Sequence, residues 1–395
     1  MRPRLKVLHV ITGLAAGGAE SQLLRVVRAS RHDCAVVSMY NPGVVAEQLR
    51  TEGFTVHDLA VPGSSDPRAL RRLLAVLRTE RPDVLHTHLY RAGLFGRLAG
   101  RLARTPVVVS TEHSLSDPDR LEGRAATPAV REMLRRSSRW AHATVAVSEQ
   151  VRDNLAAWGV LDRPGHRVRL VRNGVDTDEL RFDVHARQAV RDHLGVGPDV
   201  RLAGAVSRLH PDKRVDAALD GLAPRLGPHL RFVVVGDGAE RGRLQRRAAQ
   251  LGIGPYVHFT GEVRDVAPWL SALDVLVSAS ASETFGLGVL EALASGLPVV
   301  YVHAPVLDEL PAPPASAVRA GPSPAQLAAA VQRVLAAPVP PAERTAPDLV
   351  ARFDVRSTAA ALDDLYDEIH RETHPRTRPH TRSQTRRAPR QETPA

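Results

Sequence analysis

The chain has 395 residues, a formal net charge of +10 and one cysteine. At about 150 residues per domain, this length predicts two or three domains with real cores; 43% apolar and 24% charged residues exclude wholesale disorder. The lone Cys34 excludes an internal disulfide and a Cys-rich zinc module, and no apolar run approaches the roughly 18 residues of a membrane-spanning helix.

The elements alternate from the start. Val7–Ile11 is a short apolar run that gives way to Gly13 and then Gly17-Gly18-Ala19-Glu20, which predicts a first strand and a turn rather than a signal peptide, and with it a cytoplasmic protein. Leu23, Leu24 and Val27 repeat at helical spacing. Strands follow at Cys34–Met39, Thr55–Leu59, Asp83–His88, Val107–Thr111, Thr144–Ser148 and Val168–Val171, with helices at Val45–Glu52, Pro67–Thr79 and Gly93–Arg104. Residues 177–197 are a polar, charged stretch. The alternation then restarts. Strands are predicted at Leu202–Val206, Arg231–Val235, Val257–Thr260, Val275–Ser278 and Val299–Val302, and helices at Val215–Leu222, Glu240–Gln250, Val266–Leu270 and Gly288–Ala294. Two such α/β units predict two doubly wound domains, 1–185 and 186–345, with ligands at the carboxyl ends of the strands facing the cleft between them. A Pro-rich connector at Val339–Pro347 precedes a helix ending near Arg371, placed at 346–371. Residues 372–395 hold almost no apolar side chains and are expected to be disordered.

Two motifs carry chemistry. Glu283-Thr284-Phe285-Gly286-Leu287-Gly288-Val289-Leu290-Glu291 follows a strand and opens a helix. The free amides at Gly286, Leu287 and Gly288 suit phosphate oxygens, and Glu291, further along the helix, suits a sugar hydroxyl. The second is Ser207-Arg208-Leu209-His210-Pro211-Asp212-Lys213, just beyond a strand. Arg208 brings forked hydrogen bonds and Lys213 a compact charge, and both can reach one diphosphate. Lys6 and Lys213 are the only lysines in an arginine-rich chain, which singles Lys213 out. Asp117-Pro118-Asp119 has a metal-type spacing but sits in a polar loop and reads as a turn.

These motifs, with Gly236-Asp237-Gly238, Asn173-Gly174-Val175-Asp176 and Gly17-Gly18-Ala19-Glu20, together resemble glycosyltransferase family 4 from about Leu8 to Val300 and through the C-terminal helix. The resemblance implies a GT-B fold of two Rossmann-like domains. The first would bind an acceptor and the second a nucleotide-sugar donor. It also implies metal-independent transfer with retention of anomeric configuration and no cofactor. The expected donor is a UDP-linked hexose, and the acceptor contains sugar: polysaccharide, glycolipid or natural product. By this resemblance Glu291 holds the ribose and Glu283 lies by the donor sugar. Gly236 and Val263 lie in the segments that hold base and diphosphate, His113 faces donor sugar and acceptor, and Glu20 lies on the acceptor side. Gly17 and Gly18 would add diphosphate contacts. His86 and His88, at a strand end, are cleft candidates. The chain departs from the family pattern at Ser207 and Arg214, where glycine is usual, and at Tyr301–Glu309, where many members carry a Gly-Gly turn and an acid.

A nucleotide-sugar isomerase of the 2-epimerase kind on the same fold is the alternative. A nicotinamide oxidoreductase is disfavoured because Gly13, Gly17 and Gly18 do not make Gly-x-Gly-x-x-Gly. No nucleic-acid partner is expected: aromatics total 4%, and no recognition module is visible. Seven arginines and two glutamates lie within 371–395, so about half of the net charge belongs to the tail. The Arg-rich helices at 67–81 and 91–104 allow at most weak, salt-reversible contact with anionic lipid at the inner face of a membrane.

Overall fold

Strands that are apolar on both faces need helices on both faces, and the chain supplies them. The computed structural model describes residues 4–15, 17–63, 66–117, 119–121 and 124–374. The first unit runs through β1 (Lys6–Ile11), β2 (Asp33–Ser38), β3 (Thr55–Asp58), β4 (Val84–His88) and β5 (Val107–Glu112). A short antiparallel hairpin, β6 (Arg120–Leu121) and β7 (Arg124–Ala125), comes next, then β8 (Ala143–Ala146) and β9 (Arg167–Leu170). The order β3-β2-β1-β4-β5-β8-β9 makes one seven-stranded sheet, parallel throughout. The second unit contains β10 (Arg201–Val206), β11 (Leu230–Val235), β12 (Val257–Gly261), β13 (Val275–Ser278), β14 (Val299–Tyr301) and β15 (Ala317–Arg319). Its order is β12-β11-β10-β13-β14-β15, again parallel. The strand order reverses at β1 in one sheet and at β10 in the other. Crevices for ligands open beyond the carboxyl ends of such strands.

Three expectations change. First, the polar 177–197 stretch, where no element was predicted, contains the helix Val184–His193, and the expected domain boundary at 185/186 falls in its first turn. Asp183 caps this helix by accepting from the amides of His185 and Ala186. Its buried side chain is Arg191, which bonds the carbonyls of Gly197 and Ala272. A helix that buries an arginine shows no apolar stripe, so periodicity cannot find it. Second, helices at Pro128–Ser137, Glu149–Ala157 and Pro324–Ala336 were not anticipated.

Third, the single C-terminal helix is two pieces: a 3₁₀ segment, Asp348–Phe353, and the helix Val355–Thr373, whose first turn is capped by Asp354. This last helix crosses back to the first unit. Val355, Leu362, Leu365, Tyr366 and Ile369 pack with Leu5, Val7, Val84, Val107 and Val109. The crossing depends on Gly174: a Cβ there would stand 2.7 Å from Val355 Cα and 2.6 Å from Thr358 Oγ1. The Asn173–Asp176 motif thus serves the return of the chain, with Val175 bridged to Asp354: Val175 N donates to Phe353 O and Val355 N to Val175 O. The basic tail expected to be disordered lies, from residue 375, outside the described residues, and 372–373 belong to the helix. Among the described residues no helix is long and apolar enough to cross a membrane.

Candidate active site in the cleft

The segment after β10 is shaped by the turn after β11. Gly236 and Gly238 have φ of 127° and 155°, and a Cβ on either would meet backbone, at Ser207 O (2.1 Å) and Leu209 O (2.3 Å). Only glycine permits that approach. Leu209 N then donates to Asp237 O at 2.8 Å, and Glu240 N donates to Leu209 O. Gly236 N is itself bonded to Gly261 O, so this glycine contributes closeness rather than a free amide. The family marker Gly236-Asp237-Gly238 is therefore the bed on which Arg208 lies.

On the other side, Ser280 Oγ bridges Asp212 O and Ser282 O, tying the Lys213 turn to the loop after β13. Lys213 Nζ donates to Glu283 Oε1 at 2.5 Å. Gly286, at φ 95°, then caps the helix Leu287–Ala294, whose first amides have no carbonyl one turn back to bond. An amide end of this kind favours negative charge. Arg208 is exposed.

The first unit meets this cluster directly. A Cβ on Gly18 would sit 3.5 Å from Leu287 Cδ1, so the turn after β1 faces the amide end of that helix. The carboxylate of Glu20 folds back over Gly17, where a Cβ would lie 2.2 Å from Oε2. Burial pushes the Glu20 carboxyl up to about 7, against the opposing pull of its own amide and of Arg208. Arg25, two turns into the first helix, donates through Nη2 to Glu291 Oε1 at 2.6 Å. Both side chains are nearly buried, at 11% and 12% exposure. Arg25 Nη1 is buried with no partner among the described residues. The hydroxyls of Ser116 and Ser282 meet at 2.7 Å and join the loop after β5 to the loop carrying Glu283.

His113 starts that loop. Its Nε2 lies 3.3 Å from His88 Nδ1, and burial lowers it to about 4, so it is uncharged at neutral pH. With Gln22, His88, Thr111 and Asn173 it lines a cavity of about 20 Å³, about the size for one water. His86 and His88 are not cleft side chains. They are buried within the sheet, and only His88 reaches the site, through His113. Val263 is half-buried beyond β12 and packs on the core rather than on Lys213 or Glu283. Asp119 N donates to Asp117 Oδ1 at 2.7 Å and Asp119 pairs with Arg131, an exposed turn with its acids already used.

The structure therefore gathers Arg208, Lys213, Glu283, Glu291, Gly286, Leu287, Gly288, Gly17, Gly18 and Glu20 along one cleft, with His113 at its edge. Sequence reading missed Arg25. One arginine among many on an amphipathic helix carries no signal of its own.

The Glu20 carboxyl gives a pH test. Its folded value is raised above the ordinary 4.5, so the folded state holds the proton more tightly and stability falls as pH rises from about 4.5 through about 7. Urea midpoints at pH 5 and pH 8 should drop less in Glu20→Gln than in the parent. A Gln variant that loses stability more steeply over this range would contradict the burial.

Two Rossmann-like sheets facing across a cleft, with their switch points opposed, define the GT-B architecture. Solved structures share it. Anabaena HepE, solved with UDP and glucose, superposes with a TM-score of 0.79 at 22% identity, covering 92% of this chain and 100% of that one. Sucrose-phosphate synthase from Thermosynechococcus elongatus follows at 0.74 and 20%, covering 93% and 99%. Residues 16–179 match the model described as Glycosyltransferase Family 4 and residues 200–337 that described as Glycosyl transferases group 1. D-inositol 3-phosphate glycosyltransferase 2 of Catenulispora acidiphila is 32% identical over 82% of this chain and 80% of its own length. A GDP-mannose-dependent alpha-mannosyltransferase of Mycobacterium tuberculosis is 31% identical over 71% and 72%. The chain belongs to glycosyltransferase family 4 and is a glycosyltransferase.

Proposed function

We propose that this enzyme transfers a hexose from a UDP-linked donor to a sugar-containing acceptor, with retention and without a metal. The observation that carries the reading is the juxtaposition of Arg208 and Lys213 with the amide end of the Leu287–Ala294 helix at the β10 switch point. Fixed positive groups are aimed where a diphosphate would gain charge on leaving. In this reading Glu291 holds the ribose and Glu283, set by Lys213, lies at the sugar. As the anomeric carbon–oxygen bond to the diphosphate breaks, the acceptor oxygen bonds the same face of that carbon. The acceptor proton passes to the leaving phosphate oxygen, so no dedicated base is needed. His113 orients the sugar by hydrogen bonding, and the first domain, with Glu20, holds the acceptor.

HepE, solved with UDP and glucose, supports a UDP donor; the mannosyltransferase relatives make GDP-mannose the competitor to include. The test is a panel of UDP-glucose, UDP-N-acetylglucosamine and GDP-mannose, assayed for nucleoside diphosphate release with and without EDTA. The expected result is turnover of one UDP-sugar, unchanged by EDTA. Turnover confined to GDP-mannose overturns the donor base, loss with EDTA overturns metal independence, and isomerised donor in the absence of acceptor overturns transfer.

A further inference from the structure

Behind His113 the first sheet carries a row of imidazoles. His9 on β1 pairs in register with His86 on β4, and His88 is the next residue on the same face. His9 Nδ1 and His88 Nε2 are 3.1 Å apart, and His88 Nδ1 and His113 Nε2 are 3.3 Å apart. His86 stands beside the row, its ring centre 4.2 Å from that of His88, with both nitrogens engaged: Nε2 with Thr111 Oγ1 at 2.7 Å and Nδ1 with the Tyr366 hydroxyl at 2.5 Å. One nitrogen from each of His9, His86 and His88 falls within 4.8 Å of the others, close enough to hold a cation. Yet of these three rings only His9, at Nε2, lacks a partner among the described residues, and a cation would have to break hydrogen bonds already made at His86 and His88. The row is better described as a chain of hydrogen bonds.

That chain has a direction. Burial holds His9 to about 3, His113 to about 4 and His88 well below its ordinary value, so each ring carries one proton. Each of the two contacts needs one proton between its nitrogens. Only two arrangements satisfy both. In one, His113 holds its proton on Nε2, His88 holds its on Nε2, and His9 is left with an N–H at Nε2. That N–H would be buried with nothing to accept it. In the other, His9 donates from Nδ1 to His88, His88 donates from Nδ1 to His113, and the end of the chain at His9 is a bare nitrogen. Stranded buried N–H groups are rarer than under-used acceptors, and a lost donor carries its full desolvation cost. The second arrangement is favoured.

We propose that His9 and His88 are positioning residues that fix His113 in its Nδ1–H form, so that His113 offers the cleft a hydrogen-bond donor and never a base. The inference rests on the reading of His113 as a group facing the sugar. It assigns work to two buried side chains that touch no substrate. It also fits a transfer in which the leaving phosphate takes the acceptor proton.

The full chain, labelled with ¹⁵N-histidine, tests this first in the parent protein. Long-range proton–nitrogen spectra separate the two forms, and His113 is the signal lost in His113→Gln. A protonated Nδ1 and bare Nε2 on His113 is expected; a protonated Nε2 overturns the proposal. In His88→Leu the His113 signal should shift toward a mixture of forms, and kcat for donor hydrolysis should fall about tenfold, the scale of one hydrogen bond. Affinity for the nucleoside diphosphate should stay within about twofold, since the nucleotide is bound elsewhere. His88→Gln, whose amide can still donate to His113 Nε2, should recover part of kcat. An unchanged His113 signal in His88→Leu would end the positioning role. A parent chain that binds no nucleoside diphosphate would instead defeat the proposed function, leaving the spectrum to decide the tautomer separately.

Discussion

Lys213→Ala lowers donor turnover by about 10²- to 10³-fold, the usual cost of deleting one fixed donor to developing charge. The residue sits on a turn held from both sides, by Ser280 Oγ on Asp212 O and by its own ion pair with Glu283. Its side chain is 26% exposed and that of Glu283 16%. Truncation therefore removes positive charge from the proposed diphosphate site and also releases a carboxylate that has no other described ion pair. Lys213→Ala/Glu283→Gln tests the second effect: if the stranded carboxylate dominates, the double variant recovers part of the rate, whereas a double variant as slow as Lys213→Ala leaves the loss with the charge at the proposed diphosphate site or with Glu283 itself. Lys213→Arg should restore only part of the rate, because a planar fork cannot occupy the place of a compact ammonium with the same reach. The measurement is kcat/KM for nucleoside diphosphate release, with circular dichroism to show a folded chain. Full activity in folded Lys213→Ala would remove this turn from the active site.

What made the turn legible in advance was composition. With lysine at two positions only, a lysine five residues after an arginine beyond a strand end stands out. The parallel sheets were legible for a similar reason: runs such as Val107–Thr111 and Val275–Ser278 are apolar on both faces and alternate with helical spacing, and both appear as strands. Elements whose buried face is polar were not legible. The Val184–His193 helix hides behind Arg191, whose guanidinium belongs to a cluster with Arg187, Arg344 and Asp274. Its burial exists only once the segment entering β13 has delivered Asp274. The destination of the last helix was equally hidden. Its apolar spacing predicts that it packs, but Gly174 and the Val175–Asp354 bridge decide that it packs on the first unit. His86 and His88 were identified as a pair at a strand end. His86 is covered by Tyr366, contributed by that same crossing helix.

Arg25 shows what a one-dimensional reading cannot supply, and it yields the second large expected effect. Its guanidinium and the Glu291 carboxylate belong to different domains, are 266 positions apart and meet at 2.6 Å. Removing one member of a nearly buried ion pair leaves the other uncompensated, which costs several kcal/mol when water stays out. Here the pair joins two domains, so water returns if they part. The cost should then appear as an opened cleft and weaker donor binding rather than as unfolding. Arg25→Ala is expected to raise the donor KM about tenfold with kcat nearly kept, since a lost preorganising contact acts mainly on binding. Glu291→Ala should cost more, about 10²-fold in kcat/KM, because it removes the proposed ribose contact together with the partner of Arg25. Arg25→Ala/Glu291→Ala should be no worse than Glu291→Ala alone, as the second truncation deletes a charge already stranded; residues in contact are expected to depart from additivity in this way. Small-angle scattering of the donor-free chain should show a larger radius of gyration in either single variant. Strictly additive losses, with no change in scattering, would mean that the pair neither closes the cleft nor orients Glu291, and that the ribose contact of Glu291 is made without help from the opposite domain.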